Sequence, residues 1–198
     1  MYIKVLGIDL DKSSFHLMGR DAQDQQVCKK KLSRQKLITF IAQLPPCLIA
    51  FEACGGAHWL GRFCLDYGHD VRLIPPQYVK PFVKGNKNDF IDALAITEAA
   101  PRPDMRFVAV KSIESQSQLI VHRVREGFVA DRTACMSRIG ALLLEFGLSF
   151  PRGHSAMKRL FSWLSMQKVA LCPAIIGELQ VMHDHYGYLN EKIAAQDA

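Results

Sequence analysis

Two aspartates three residues apart, Asp89 and Asp92, sit in the stretch of this 198-residue chain with the most chemistry to offer. They fall in KGNKNDFIDALAI, Lys84 to Ile96, where Phe90, Ile91, Leu94 and Ile96 have the apolar spacing of a helix. Residues three apart share a helix face. Two carboxylates on one face repel each other, and a fold keeps such a pair mainly when a cation or strong donors neutralise it. A D-x-x-D pair by itself is most often two solvated surface charges. The sequence upstream changes that reading. Asp9 closes the apolar run Val5-Leu6-Gly7-Ile8, and Glu52 closes Leu48-Ile49-Ala50-Phe51. Both acids therefore stand at the C-terminal ends of strands, and Asp9, Glu52, Asp89 and Asp92, in the order strand, strand, helix, read as one metal site.

The elements that must position these acids follow from local patterns. Tyr2–Leu10, Ser13–Arg20 and Gln25–Leu32 read as three strands of an antiparallel meander, with Asp21–Asp24 as a turn and Asp11 beginning the first turn. Ser33 is a cap for a helix over Arg34–Leu44, stopped by Pro45 and Pro46. Cys47–Phe51 is a continuous apolar run, the pattern of a strand covered on both faces. Gly55 and Gly56 turn the chain into a helix over Ala57–Tyr67; unusual backbone angles explain the pair better than a phosphate site, because no fuller phosphate-binding motif surrounds it. A strand over Val71–Ile74, a loop or broken helix over Pro75–Lys87, the acid-bearing helix over Asn88–Ala99 and a last short strand over Arg106–Val110 complete the series. That order predicts an α/β, RNase-H-like mixed sheet with helices. Sites in such sheets gather at strand C-termini.

After Lys111 the pattern becomes helical. No proline occurs from Ser112 to Phe146, and Leu119, Val121, Val124, Phe128, Met136, Ile139, Leu142 and Leu143 recur at helical spacing, as in a projecting helix or a coiled coil. Pro151 and Gly153 mark a corner, with further helices expected over Ala156–Ala170 and Ala174–Ala194. The expected domains are 1–110 and an all-α region over 111–198.

Composition bounds the partners. Nearly half of the residues are apolar and the formal charge is +6, which favours polyanions. Lys29, Lys30, Lys31, Arg34 and Lys36 form one basic run, and an acid-free window from Val71 to Asn88 holds Arg72, Lys80, Lys84 and Lys87. Arg123, Arg125, Arg132 and Arg138 on the long helical segment either grip a nucleic-acid backbone or solvate a helix face. Lys80, Lys84, Lys87, Arg123, Arg125 and Arg132 are the candidate nucleic-acid contacts. Six scattered cysteines without a C-x-x-C pair read as reduced, mostly buried thiols rather than a zinc site or a disulfide framework. His183 and His185, two apart, point to different helix faces and make a poor ligand pair. No signal-peptide pattern opens the chain and no apolar run is long enough to span a bilayer, so a cytoplasmic location is expected.

In sequence order the motifs GID at Gly7, FEACGGAHW at Phe51, KNDFIDALAI at Lys87, VAVKS at Val108, HRVRE at His122, RTA at Arg132 and LLLEFG at Leu142 resemble the N-terminal part of the DEDD transposases of the IS-one-ten insertion-sequence family, relatives of the pilin-gene invertase Piv. The resemblance covers about Tyr2 to Pro151. It implies a RuvC-like, RNase-H-like domain whose four catalytic acids fall on Asp9, Glu52, Asp89 and Asp92, two Mg²⁺ ions, and a helical coiled-coil region that forms a homodimer or larger assembly. It also implies DNA of a mobile element and a structured guide RNA as partners. Family members continue into a domain with a serine nucleophile. None of Ser149, Ser155, Ser162 or Ser165 matches that motif, so the expectation is an N-terminal portion that binds metal and nucleic acid without completing recombination. The alternative is a catalytically incomplete nucleic-acid-binding and dimerisation module. An actin-like kinase is disfavoured by Asp11-Lys12-Ser13-Ser14 in place of a glycine-rich turn and by the short chain; a proofreading-type exonuclease would want D-x-E where this chain has Asp9-x-Asp11.

Overall fold

A continuous apolar run makes the strand that carries Asp9. In the computed structural model, which describes residues 2–85, 88–167 and 170–197, this strand, β1, is Val5–Leu10, and Val5 through Ile8 are buried. A strand buried on both faces has to be central. β2 (Ser14–Arg20) pairs with it antiparallel, from Leu10↔Phe15 to Val5↔Arg20, and β3 (Gln26–Ser33) pairs antiparallel with β2. After α1 (Arg34–Gln43), β4 (Leu48–Glu52) returns parallel to β1, from Val5↔Leu48 to Ile8↔Phe51. α2 (Ala57–Asp66) then leads to β5 (Asp70–Ile74), parallel to β4. The strand order β3-β2-β1-β4-β5, an antiparallel meander extended by parallel strands, is the RNase-H-like arrangement the sequence predicts.

The sheet is covered on both faces. Leu6, Ile8, Leu17, Ile49 and Phe51 pack against Leu37 and Ile41 of α1 and Leu60 of α2. Each fully buried side chain of this size contributes about 1.5–3 kcal/mol of burial free energy. The opposite face is covered by α3 (Pro76–Val79) and α4 (Asp89–Ala99), where Val5, Ala50 and Ile74 meet Val79, Ala95, Ile96 and Ala99. Between α3 and α4 a 3-10 turn, Lys80–Phe82, makes the broken helix expected over the start of Pro75–Lys87.

α4 lies unusually close to β1. A methyl group on Gly7 would overlap Thr97 Oγ1 and Ala93 O and come within 2.8 Å of Thr97 N. Only glycine fits there, which gives the first residue of the GID motif a packing role. Thr97 reinforces the contact: its hydroxyl lies 2.7 Å from Ala93 O and 3.1 Å from Met18 O, so its single proton is shared between its own helix and β2.

Two expected elements differ in the structure. Arg106–Val110 is not a strand: it makes one isolated antiparallel bridge, Leu73↔Val108. Side chains of α2 hold the segment instead, since Lys111 N donates to His58 Nδ1 at 3.2 Å and Arg62 donates to Lys111 O at 2.8 Å. A single helix over Ala156–Ala170 is replaced by α6 (His154–Lys158) and α7 (Leu160–Leu164), which part at Arg159, whose φ of −109° and ψ of 13° leave the helical region.

The chain divides into two compact units, Met1–Glu114 and Ser115–Ala198. The second is all-α. α5 (Ile113–Leu144) presents Cys135, Ile139 and Leu143 at four-residue spacing, and these pack with Met157, Leu160 and, from α8 (Pro173–Asp197), Leu179, Tyr186 and Leu189. All six cysteines are free; Cys28, Cys64 and Cys135 are buried, Cys47 is half-buried, and Cys54 and Cys172 are exposed, so burial reaches half of them rather than most. Among the described residues no helix is long and apolar enough to cross a membrane.

Candidate metal centre

Strand alternation decides where the acids point. Ile8 and Leu10 belong to the core on the α1 and α2 side, so Asp9 between them projects to the α4 side. Glu52 lies one residue beyond the last β1–β4 pair, Ile8↔Phe51, and by the same alternation shares the face of Ala50, which packs towards α4. The start of α4 supplies the other two. The Asn88 side chain accepts a hydrogen bond from Phe90 N at 3.0 Å, and its carbonyl accepts from Asp92 N at 3.0 Å. That cap puts Asp89 and Asp92 in the first turn, where unpaired backbone N–H groups and the helix dipole favour each negative charge by about 0.3–1 kcal/mol.

These local rules converge. One carboxylate oxygen each from Asp9, Asp89 and Asp92 lie within 4.8 Å of one another. The half-buried Asp9 carboxyl is pushed up to about 6, first by burial and then by the charges of Asp92 and Asp89, with His16 acting in the opposite direction. Glu52 is outside that trio; burial, then Glu52, then Asp9 hold the Cys54 thiol above its ordinary range. Asp11 instead accepts a hydrogen bond from Lys12 N at 2.6 Å and stabilises the first turn. An all-carboxylate donor set fits a hard, oxygen-preferring divalent cation better than a soft one.

A residue that sequence reading passed over borders the trio. His16 on β2 stands directly opposite Asp9 in register and is only 4% exposed. Its Nδ1 lies 3.5 Å from Asp89 Oδ2, too long for a full hydrogen bond, and has no hydrogen-bond partner among the described residues. A buried polar atom left in that state costs roughly 1–3 kcal/mol. The signal was available in the hairpin: pairing Leu10 with Phe15 across the turn sets Asp9 against His16.

The basic residues separate by what they touch. Lys84 pairs with Glu98 at 3.3 Å, Arg125 makes two hydrogen bonds to Asp197, and Arg132 donates to Asn190. Lys80 and Arg123 are exposed. Lys87 lies outside the described residues. In the run on β3 and α1, Lys30 sits over the Phe40 ring and Arg34 over Trp59, whereas Lys29 and Lys31 are exposed on the α4 side of the sheet: Lys29 lies over the Phe90 ring and Lys31 pairs with His16 across the ladder.

Residues 6–148 match the family model of the IS110-type DEDD transposases, described as "Transposase". The transposase for insertion sequence element IS1328 of Yersinia enterocolitica is 44% identical over 191 residues, 96% of this chain and 57% of that protein. A probable family 20 transposase of Pseudomonas aeruginosa is 45% identical over 196 residues, 98% of this chain and 58% of its own length. The chain thus spans a little over half the length of these relatives. Among solved structures, Thermus thermophilus RuvC in complex with a Holliday junction substrate aligns with 49% of this chain and 90% of its own, at 13% identity and a TM-score of 0.34.

Proposed function

The chain belongs to the IS110-type DEDD transposase family, and from that premise we propose that its first unit is the acid-cluster domain of a DNA transposase, acting on mobile-element DNA. The observation that carries this reading is the meeting of Asp9, Asp89 and Asp92 within 4.8 Å at the C-terminal end of the central strand. Asp9, Asp89 and Asp92, with Glu52 from the same sheet face, would hold two Mg²⁺ ions. Such ions would supply positive charge to stabilise the attacking and leaving oxygens of a phosphoryl transfer. The residues of the chain hold and orient that charge: α4, capped by Asn88 and seated on Gly7, aims two acids at the strand acid.

Basic side chains are the candidate phosphate contacts. Lys29 and Lys31 lie on the sheet face shared with the acids and supply positive charge for a nucleic-acid backbone that the carboxylates would otherwise repel; Lys80 and Lys87 are further candidate contacts from the sequence. On the helical unit, Arg123 is a separate candidate contact, as are Arg125 and Arg132 if nucleic acid displaces Asp197 and Asn190. The family resemblance extends the proposal to a structured guide RNA, to a homodimer or larger assembly through the helical unit, and to action in the cytoplasm.

Calorimetric titration with Mg²⁺ and Mn²⁺ tests the centre. Wild type is expected to bind, and Asp9→Ala and Asp89→Ala to lose binding while remaining folded. Unchanged affinity in both variants would leave a nucleic-acid-binding and dimerisation module without metal chemistry.

A further inference from the structure

His16 is the only buried side chain among the described residues with a polar atom left without a hydrogen-bond partner, and that atom faces the acid cluster. Its ring is fixed by packing rather than by hydrogen bonding. The imidazole and the Phe90 ring meet at an interplanar angle of 80° with centroids 4.8 Å apart, and Lys29 Nζ lies over the Phe90 ring, 4.7 Å from its centroid. Antiparallel pairing puts His16 opposite Asp9, on the same sheet face. The imidazole is therefore wedged between the strand acid and the first turn of α4, with Nδ1 turned to Asp89 Oδ2 at 3.5 Å.

Two observations define what such a residue does. His16 is not one of the groups whose ligand atoms cluster within 4.8 Å, so it is not a ligand alongside the trio. The Asp89 side chain is 60% exposed at the start of a helix, and among the described residues His16 is its one ion-pair partner. A carboxylate in that position can rotate unless something fixes one of its oxygens.

We propose that His16 is a positioning residue for the acid cluster: Nδ1–H, aimed at Asp89 Oδ2 from 3.5 Å, biases the rotation of that carboxylate and keeps an oxygen of it towards Asp9 and Asp92. This deepens, and rests on, the reading of the cluster as a cation site. Partners that orient metal-binding carboxylates change affinity by about 10–100-fold when removed.

The test uses the full chain at mildly alkaline pH. Mn²⁺ affinity is measured by calorimetry for wild type, His16→Phe, His16→Asn and His16→Gln, and nitrogen NMR reports the ring tautomer of wild-type His16 without metal. Phenylalanine keeps the edge contact with Phe90 and removes the donor; asparagine returns an N–H near the Nδ1 position, and glutamine places it farther out. The expected result is an Nδ1–H tautomer, affinity about 10-fold weaker in His16→Phe, recovery in His16→Asn and none in His16→Gln. Wild-type affinity in His16→Phe, or a ring protonated only at Nε2, overturns the role of His16 while leaving the cation site standing. Absence of Mn²⁺ binding by wild type overturns both. The tautomer is read on the unsubstituted chain, so a variant that fails to fold does not shield the proposal.

Discussion

Asp9 carries the strongest electrostatic consequence at the level of single residues. Its carboxyl is raised from 3.8 to about 6 by burial and by its two aspartate neighbours, so the folded chain holds this proton more tightly than the unfolded chain does. The contribution to stability is therefore fully present below about 4 and is lost as pH rises towards 6. Asp9→Asn removes that loss. In the absence of divalent cations it should raise stability at neutral pH by roughly 1 kcal/mol, a figure reduced for the solvent screening of a half-exposed group; urea unfolding measures it, and a less stable variant would contradict the assigned repulsion. The same proton competes with a cation, so Mn²⁺ affinity should climb as pH rises through about 6 and level off above it. At this scale the sequence was informative where a carboxylate ended an apolar run, as at Asp9 and Glu52. It was silent on His16, because a histidine inside a strand gains meaning only from the residue across the ladder.

The decisive element is α4, and its contact with β1 is what brings sequence-distant acids together. The Gly7 backbone touches Thr97 and Ala93, so Gly7→Ala must push the helix away from the strand. Overpacking of this kind costs about 1–3 kcal/mol, visible as a lower urea midpoint, and Mn²⁺ affinity should fall with it because Asp89 and Asp92 move while Asp9 does not. A variant with unchanged midpoint and affinity would mean that the contact does not set the site. Most elements were legible: continuous apolar residues gave β1 and β4, Pro45 and Pro46 ended α1, and Asn88 opened α4. Arg106–Val110 was misread because its alternating valines do pack on the core, while its backbone is tied by His58 and Arg62 of α2, partners that no local pattern announces. The division of the helix after Lys158 was equally hidden, since neither proline nor glycine marks Arg159.

For the whole molecule, the net charge of +6 matters less than where it is placed. Basic candidates on the helical unit are partly committed to internal partners, as Arg125 is to Asp197, whereas Lys29 and Lys31 carry exposed charge on the sheet face that holds the acids. Lys31→Ala should weaken binding of single-stranded DNA and flatten the dependence of log affinity on log salt by about 0.7, the contribution of one phosphate contact, with Mn²⁺ affinity unchanged. An unaltered salt slope, measured by fluorescence anisotropy, would remove β3 from the nucleic-acid surface. The sequence displayed this basic run without distinguishing its members; strand alternation alone puts Lys29 and Lys31 on the sheet face of the acids and Lys30 on the other.

The closeness of α4 to β1 also determines how the domain carries its own internal opposition. Glycine, threonine and alanine clamp the helix from Ala93 onward, directly behind its charged first turn, so the like charges there are pressed together by apolar packing they take no part in. The tip is a loaded spring, and any counter-ion that relaxes it also tightens the clamp.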